Sequence, residues 1–262
     1  MAEPPITALV EENGRVFIVE VVDESVKIKG IGVFNPKTTI DTVEYGSEVQ
    51  IGSKIFTHLP PRLPELIQGM KRRAQTIGSK DAGVLIARLG IGPADVVLEA
   101  GLGSAGQSMH LARVMGASGH LITVEPREEH SSVGLENLQT LARALTEFPK
   151  HSHIHGMIES SVGEIEAVVN EVDAILLDLP EHTAAIKSVA HLLKIGARIS
   201  CYCPVSSQLE DAWTACEESG LEVEWAGEVI EREWGKASKG GVRPVNGPFG
   251  HTAFLLIAQR KN

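Results

Sequence analysis

The chain has no long apolar run: nothing in its 262 residues approaches the roughly 20 apolar positions that a bilayer-crossing helix needs. A helical membrane protein is therefore excluded. The start, Met1-Ala2-Glu3-Pro4-Pro5, lacks the basic region and apolar stretch of a secretory leader, so a cytoplasmic protein is expected. Cysteine is scarce. Cys201, Cys203 and Cys216 are too few for a disulfide framework and fit a reducing compartment. Cys201 and Cys203 lie two apart on an expected strand, share one face, and read as small core residues; no second pair completes a metal site. Basic residues are outnumbered 34 to 24, and the net charge of −10 argues against a surface coated for nucleic acid. Two local basic clusters stand out, Lys71-Arg72-Arg73 with Lys80, and Arg232, Lys236, Lys239 and Arg243; both read as ordinary charged surface. His151, His153 and His155 repeat with the period of a strand face, and with no cysteine nearby they read as a solvated or interface edge. No repeat and no low-complexity tract is visible.

What is present is a core-forming composition, 43% hydrophobic, in two differently patterned parts. Residues 1–62 are β-rich and form a small N-terminal β-domain. Arg15 to Val22 reads as a strand paired with Ser25 to Lys29 through a turn at Asp23-Glu24. Gly30 to Phe34 and Val49 to Phe56 add further strands, giving a small barrel or sandwich. Three prolines between Leu59 and Pro64 mark the boundary. Over residues 63–262 strands and helices alternate. Strands are expected at 95–100, 120–125, 152–156, 172–178, 197–203, 221–231 and 251–258, with helices including 81–89, 104–115, 128–145, 182–193 and 206–219. Such alternation gives an α/β fold, a parallel sheet covered on both faces. The loop Gly235 to Gly250 has no helical pattern, which makes the last strand antiparallel.

The richest stretch is Val96-Val-Leu-Glu-Ala-Gly-Leu-Gly-Ser-Ala-Gly106. A strand ends in an acid, and Gly101, Gly103 and Gly106 lead into a helix. Glycines let backbone approach a nucleotide-like ligand, and the helix start offers unpaired N–H groups. Three readings stay open on this pattern. A dinucleotide dehydrogenase uses G-x-G-x-x-G, though usually at the start of its domain. A methyltransferase binding S-adenosylmethionine suits the acid Glu99 two residues before the first glycine. A tight turn with no ligand would leave the glycines and the strand-end acids Glu99 and Glu125 without a purpose. Ligands of open α/β sheets sit beyond the carboxyl ends of the strands. That rule gathers Glu99, Glu125 and Asp178, with Asp178 left to face a substrate or to cap the helix that follows.

The chain resembles the tRNA methyltransferases that modify N1 of adenine in the T-loop, in their archaeal and bacterial form. The blocks that carry the resemblance run from Met70-Lys-Arg-Arg-Ala-Gln75 and Ser79-Lys80-Asp81-Ala82 through Glu99-Ala-Gly-Leu-Gly-Ser104, Glu125-Pro-Arg127-Glu128 and Leu177-Asp-Leu-Pro180 to Arg243-Pro244 and Gly250-His251-Thr252-Ala253-Phe254. The resemblance implies a Rossmann-like class I methyltransferase domain with a seven-stranded sheet whose last strand is antiparallel, a homotetramer, and tRNA as the partner. It also implies that Gln75, Glu99, Gly101, Gly103, Ser104, Ala105, Gly106, Glu125, Arg127 and Met157 hold S-adenosylmethionine, and that Asp178, also beside the cofactor, meets the target adenine. Three stretches depart from the family pattern: Gly156-Met157-Ile158-Glu159 lacks the usual Asp, Gly78-Ser79 replaces a Tyr-containing stretch, and Glu181-His182-Thr183 replaces Asp-Pro-Trp. These departures raise one alternative, a catalytically weak or inactive RNA-binding subunit, and the net charge of −10 raises another, a methyltransferase acting on a non-RNA substrate.

Overall fold

Apolar strands that must be covered on both faces build the larger part of the molecule. The computed structural model describes residues 3–238, 240–245 and 250–262. The elements are β1 (Ile6–Glu11), β2 (Val16–Glu20), β3 (Val26–Ile28), β4 (Gly32–Phe34), α1 (Pro36–Ile40), β5 (Glu48–Ile51), β6 (Lys54–Leu59), α2 (Leu63–Gly69) and α3 (Ser79–Leu89). They continue as β7 (Val96–Ala100), α4 (Gly106–Met115), β8 (His120–Val124), α5 (Glu128–Ala144), β9 (Lys150–Ile154), α6 (Val162–Val168), β10 (Val172–Leu177) and α7 (Thr183–Val189). The last are β11 (Leu193–Cys203), α8 (Ser206–Glu218), β12 (Leu221–Gly227), β13 (Trp234–Lys236), β14 (Val242–Pro244) and β15 (Phe254–Arg260).

Seven strands form one sheet in the order β12-β15-β11-β10-β7-β8-β9. The pairs among β7 to β11 are parallel, and β15 runs antiparallel to both β11 and β12, as the sequence predicts. Register aligns Ile122, Leu98, Ile175, Ile199 and Ala258 in one row across five strands, each fully buried. That face is covered by α6, α7 and α8 through Ile165, Ile186 and Ala212, and Cys201, Cys203 and Cys216 lie in the same core. Leu121, Val97 and Ala174 point to the other face, under α3, α4 and α5 through Leu85, Met109 and Leu138. The chain leaves β7 outward through β8 and β9, then returns to place β10 on the other side of β7. This reversal opens the crevice in which α/β sheets bind ligands.

The N-terminal residues differ from the expected pairing. β2 pairs with β1, a strand not anticipated, and the order of that sheet is β2-β1-β6-β5. The segment expected to pair with it, β3, forms a hairpin with β4 instead. The expected strand Val49 to Phe56 is two strands, because Gly52 takes φ +61° and the chain reverses there. A core of Leu9, Phe17, Val19, Phe34, Ile40 and Phe56 fills this unit. It joins the larger part through α2, and Arg143 of α5 pairs with Glu20 at 2.6 Å.

Smaller differences have local causes. The helix expected over 182–193 stops at Val189, and a single tighter turn leads into β11 at Leu193. The loop Gly235 to Gly250 contains the β13–β14 hairpin; Lys239 of the second basic cluster and residues 246–249 lie outside the described residues. His151, His153 and His155 fall on or just after the edge strand β9. Thr123 bonds His151 at 2.9 Å and His153 at 3.0 Å, and no metal-binding cluster occurs among the described residues. No helix among them is long and apolar enough to cross a membrane.

The tightest constraint joins β7 to β10. Gly101 has φ +95°, and a Cβ there would lie 2.1 Å from the Asp178 carbonyl oxygen. Gly101→Ala is expected to cost about 2–5 kcal/mol, from left-handed strain plus forced separation of backbone. The midpoint of urea unfolding measures it, and an unmoved midpoint would show that the two strand ends tolerate a side chain between them.

Candidate active site

The ladder of the sheet runs one residue beyond the central strands and so fixes Gly101 and two acids, Asp178 and Glu125, close to a third, Glu99, inside β7. Gly101 N–H donates to the Val124 carbonyl at 3.0 Å, Asp178 N–H to Ala100 at 2.9 Å, and Glu125 N–H to Ile154 at 3.2 Å. Glu99, next to last in β7, is buried and accepts a hydrogen bond from Ser108 Oγ at 2.5 Å. Burial pushes its carboxyl up to about 8, against the pull of the Ser108 bond and with help from Asp178. Burial likewise raises Asp178 to about 6, with Arg127 opposing and Glu125 adding to the rise. Among the described residues no hydrogen bond reaches the Asp178 carboxylate. The helix cap that it could have served belongs to Glu181, which accepts from Thr183 N–H at 2.7 Å and Ala184 N–H at 3.3 Å.

Glu125 lives in a different setting. It has no exposed surface, and four donors surround it. Oε1 accepts from Arg127 N–H at 3.1 Å and Arg127 Nε at 2.8 Å; Oε2 accepts from Gly103 N–H at 3.0 Å and Arg127 Nη2 at 3.3 Å. Burial pushes this carboxyl up, but the guanidinium and the two backbone N–H groups outweigh it and hold it below the usual range. Two buried glutamates on adjacent strands, one inside β7 and one just past β8, are thus driven in opposite directions by their neighbours.

A cleft of about 370 Å3 opens over the strand ends. Gln75, Glu99, Gly101, Gly103, Ser104, Gly106, Arg127 and Asp178 line it. Ala105, Glu125 and Met157 are not among its walls. Ala105 is fully buried at the start of α4 with φ +65°, Glu125 is covered by Arg127, and Met157 is exposed in the turn after β9. Gly103, at φ +51°, lets the turn curl tightly enough to aim its N–H at Glu125.

Gln75 reaches the cleft because the segment before it is strapped to the glycine turn. Ser104 Oγ accepts from Arg73 N–H at 2.9 Å and Ala74 N–H at 3.0 Å. Asn137 of α5 accepts from Lys71 N–H at 3.0 Å and donates to the carbonyls of Lys71 at 2.8 Å and Ser104 at 2.9 Å. The Ser104 side chain therefore positions the cleft wall.

Sequence reasoning overlooked Gln107. It follows the third glycine, lines the cleft and is buried, yet among the described residues neither amide atom has a hydrogen-bond partner. Its place at the second residue of α4, just past the glycines, was the available signal. A buried amide left unbonded costs on the order of 1–3 kcal/mol, which a ligand offering both a donor and an acceptor removes. S-adenosylmethionine fits this set of residues: it carries amine, carboxylate and hydroxyl groups for an amide and for backbone N–H, and positive charge for two carboxylates.

Known proteins resemble this chain in sequence and in fold. Residues 55–239 match the family GCD14, described as the tRNA methyltransferase complex GCD14 subunit. The tRNA (adenine(57)-N(1)/adenine(58)-N(1))-methyltransferase TrmI of Methanocaldococcus jannaschii is 29% identical over 96% of this chain and 93% of its own. The tRNA (adenine(58)-N(1))-methyltransferase TrmI of Thermus thermophilus is 30% identical over 99% of this chain and 98% of its own. In fold, a S-adenosylmethionine-dependent O-methyltransferase from Thermotoga maritima superposes with a TM-score of 0.80 at 23% identity, over 99% of this chain and 94% of that one. With its glycine turn, its strand-end acids and a family match that takes in most of its length, the chain belongs to the GCD14 family of tRNA methyltransferase complex subunits.

Proposed function

We propose that this protein transfers the methyl group of S-adenosylmethionine to N1 of an adenine in the T-loop of tRNA. The observation that carries the reading is the acid-edged cleft at the switch point, where Glu99, Asp178 and the unbonded Gln107 amide converge beneath the glycine turn. The full-length similarity to TrmI proteins, named for this activity, supplies the substrate. When bound, the cofactor supplies an electrophilic methyl group. Gln75, Glu99, Gly101, Gly103, Gly106 and Gln107 hold it in this reading, with Arg127 at the rim. Glu125 meets a ribose only if the Arg127 guanidinium swings off it, since all its acceptor positions face protein donors.

The chain's part in the reaction is alignment and charge. Attack by N1 leaves the adenine ring positively charged. Asp178, ionised above about pH 6, places a carboxylate beside that charge in a partly dehydrated site. No acid or base need lose its proton during the displacement itself. The open cleft and intact Glu99 and Asp178 favour an active enzyme over a degenerate RNA-binding subunit. The reading places it in the cytoplasm, where tRNA is the partner, and as a homotetramer, as the family resemblance implies; light scattering on the purified chain is expected to return four subunits, and a monomer would remove that part.

Asp178→Asn keeps the shape and loses the charge. It is expected to lower kcat by about 100-fold or more with labelled cofactor and tRNA transcripts. Activity close to that of the parent would deny Asp178 its role, and no transfer to any tRNA by folded, cofactor-bound protein would overturn the function.

A second expectation concerns pH. Glu99 is protonated in the free protein below about pH 8, whereas a cationic ligand favours its carboxylate. Binding therefore expels a proton, and affinity rises as the pH climbs toward 8, by up to about tenfold per unit, then levels. Calorimetry in buffers of different ionisation enthalpy reads the released proton, and Glu99→Gln flattens the profile. Affinity independent of pH between 6 and 8 would remove Glu99 from the cofactor site.

A further inference from the structure

A second concavity, of about 520 Å3, lies where the N-terminal strands meet the end of α2. Arg15, Lys29 and Arg72 line it, and none of its lining residues is acidic. Carboxylates are in excess in this chain, 34 against 24 cations, and several cations elsewhere pair with one: Lys37 with Asp23, Lys54 with Glu11, Lys71 with Glu136, Arg198 with Glu224. The side chains of Arg15, Lys29 and Arg72 are exposed and make no ion pair among the described residues. Arg15 instead lies over the Phe17 ring at 4.6 Å, which holds its guanidinium at the wall. Glu11, the acid on which Arg15 acts, is paired with Lys54 and does not line the hollow; gathering three like charges there is unfavourable and raises the local concentration of an anion.

Arg72 ties this hollow to the methyl-transfer cleft. Its neighbours on either side are anchored, Lys71 to Asn137 and Arg73 to Ser104, so its backbone is fixed relative to the glycine turn. Gln75, three residues on, lines the cleft, which puts the two Cα atoms within about 11 Å. A base presented to an enzyme cleft leaves the stack, and its flanking phosphates stay outside. We infer that the Arg15–Lys29–Arg72 concavity is a phosphodiester subsite, seating backbone phosphate next to the nucleotide whose base enters the cleft. The inference rests on the RNA substrate proposed above. It assigns the N-terminal strands a direct part in holding that substrate, through arginine and lysine contacts that position without reading sequence.

The test measures binding of a tRNA transcript to the full chain across a salt series. For Lys29→Ala/Arg72→Ala the expected result is affinity weaker by at least about tenfold at low salt. The slope of log K against log salt should be shallower by about 1–2, roughly one unit for each phosphate that the variant no longer neutralises. Cofactor affinity stays unchanged, and Arg113→Ala, at the far end of α4, leaves the slope alone. Inorganic phosphate and AMP are the competitors: weak competition supports a site built for a polymer backbone, whereas binding of AMP as tight as that of tRNA overturns it. A folded double variant with parental affinity and slope that still methylates tRNA overturns the subsite and leaves the function standing. A reduced slope in a chain that transfers no methyl group keeps the subsite and sinks the function.

Discussion

The Asp178 carbonyl oxygen occupies the place where a side chain at position 101 would begin. The rest of the site depends on that approach. Because Gly101 has no Cβ, β7 and β10 remain paired to their last residues, and Glu99 and Asp178 come to face one cleft. The same glycine starts the turn that carries Gly103 to Glu125 and delivers the first residues of α4, with Gln107 among them, to the cleft wall. A larger residue would separate the strand ends at the point where the topology reverses, and the crevice is a product of that reversal.

The electrostatic organisation follows from burial and local partners more than from the net charge of −10. Glu99 and Glu125 are both buried at strand ends. One has a hydroxyl beside it and is pushed toward its neutral form; the other has a guanidinium and two backbone N–H groups and stays charged. The first is left responsive to a ligand's charge, and the second is a fixed strut that holds Arg127 and the glycine turn together. The basic residues follow the same logic. Some are matched to acids, as Lys54 is to Glu11 and Arg198 to Glu224, whereas those around Arg72 lie in company with one another and acquire meaning from that grouping.

Much of the larger sheet was legible because its strands are buried on both faces and read as apolar runs, Val96 to Leu98 or Ile175 to Leu177, each ending in an acid and a turn. The glycine turn was legible because positive φ at Gly101 and Gly103 demands glycine. The N-terminal strands were recognisable as strands but not in their pairing. Alternation in Val16 to Glu20 shows which face is buried and says nothing of which strand lies alongside, so β1 rather than β3 proved the partner. Met157, Ala105 and Glu125 show a similar limit: a place beside a glycine or at the end of a strand does not by itself say whether a residue lines the cleft.

By itself the sequence determined the fold class, the glycine turn and the identity of the acids, since these rest on short-range periodicity and on residues with special backbone freedom. Tertiary structure alone decided which carboxylate is neutral, which amide is left without a partner, and that Arg15 and Lys29 stand beside Arg72. Those properties come from burial and from groups that packing brings together, Asp178 beside Glu99 or Gly103 beside Glu125, and no local pattern encodes the distance between them.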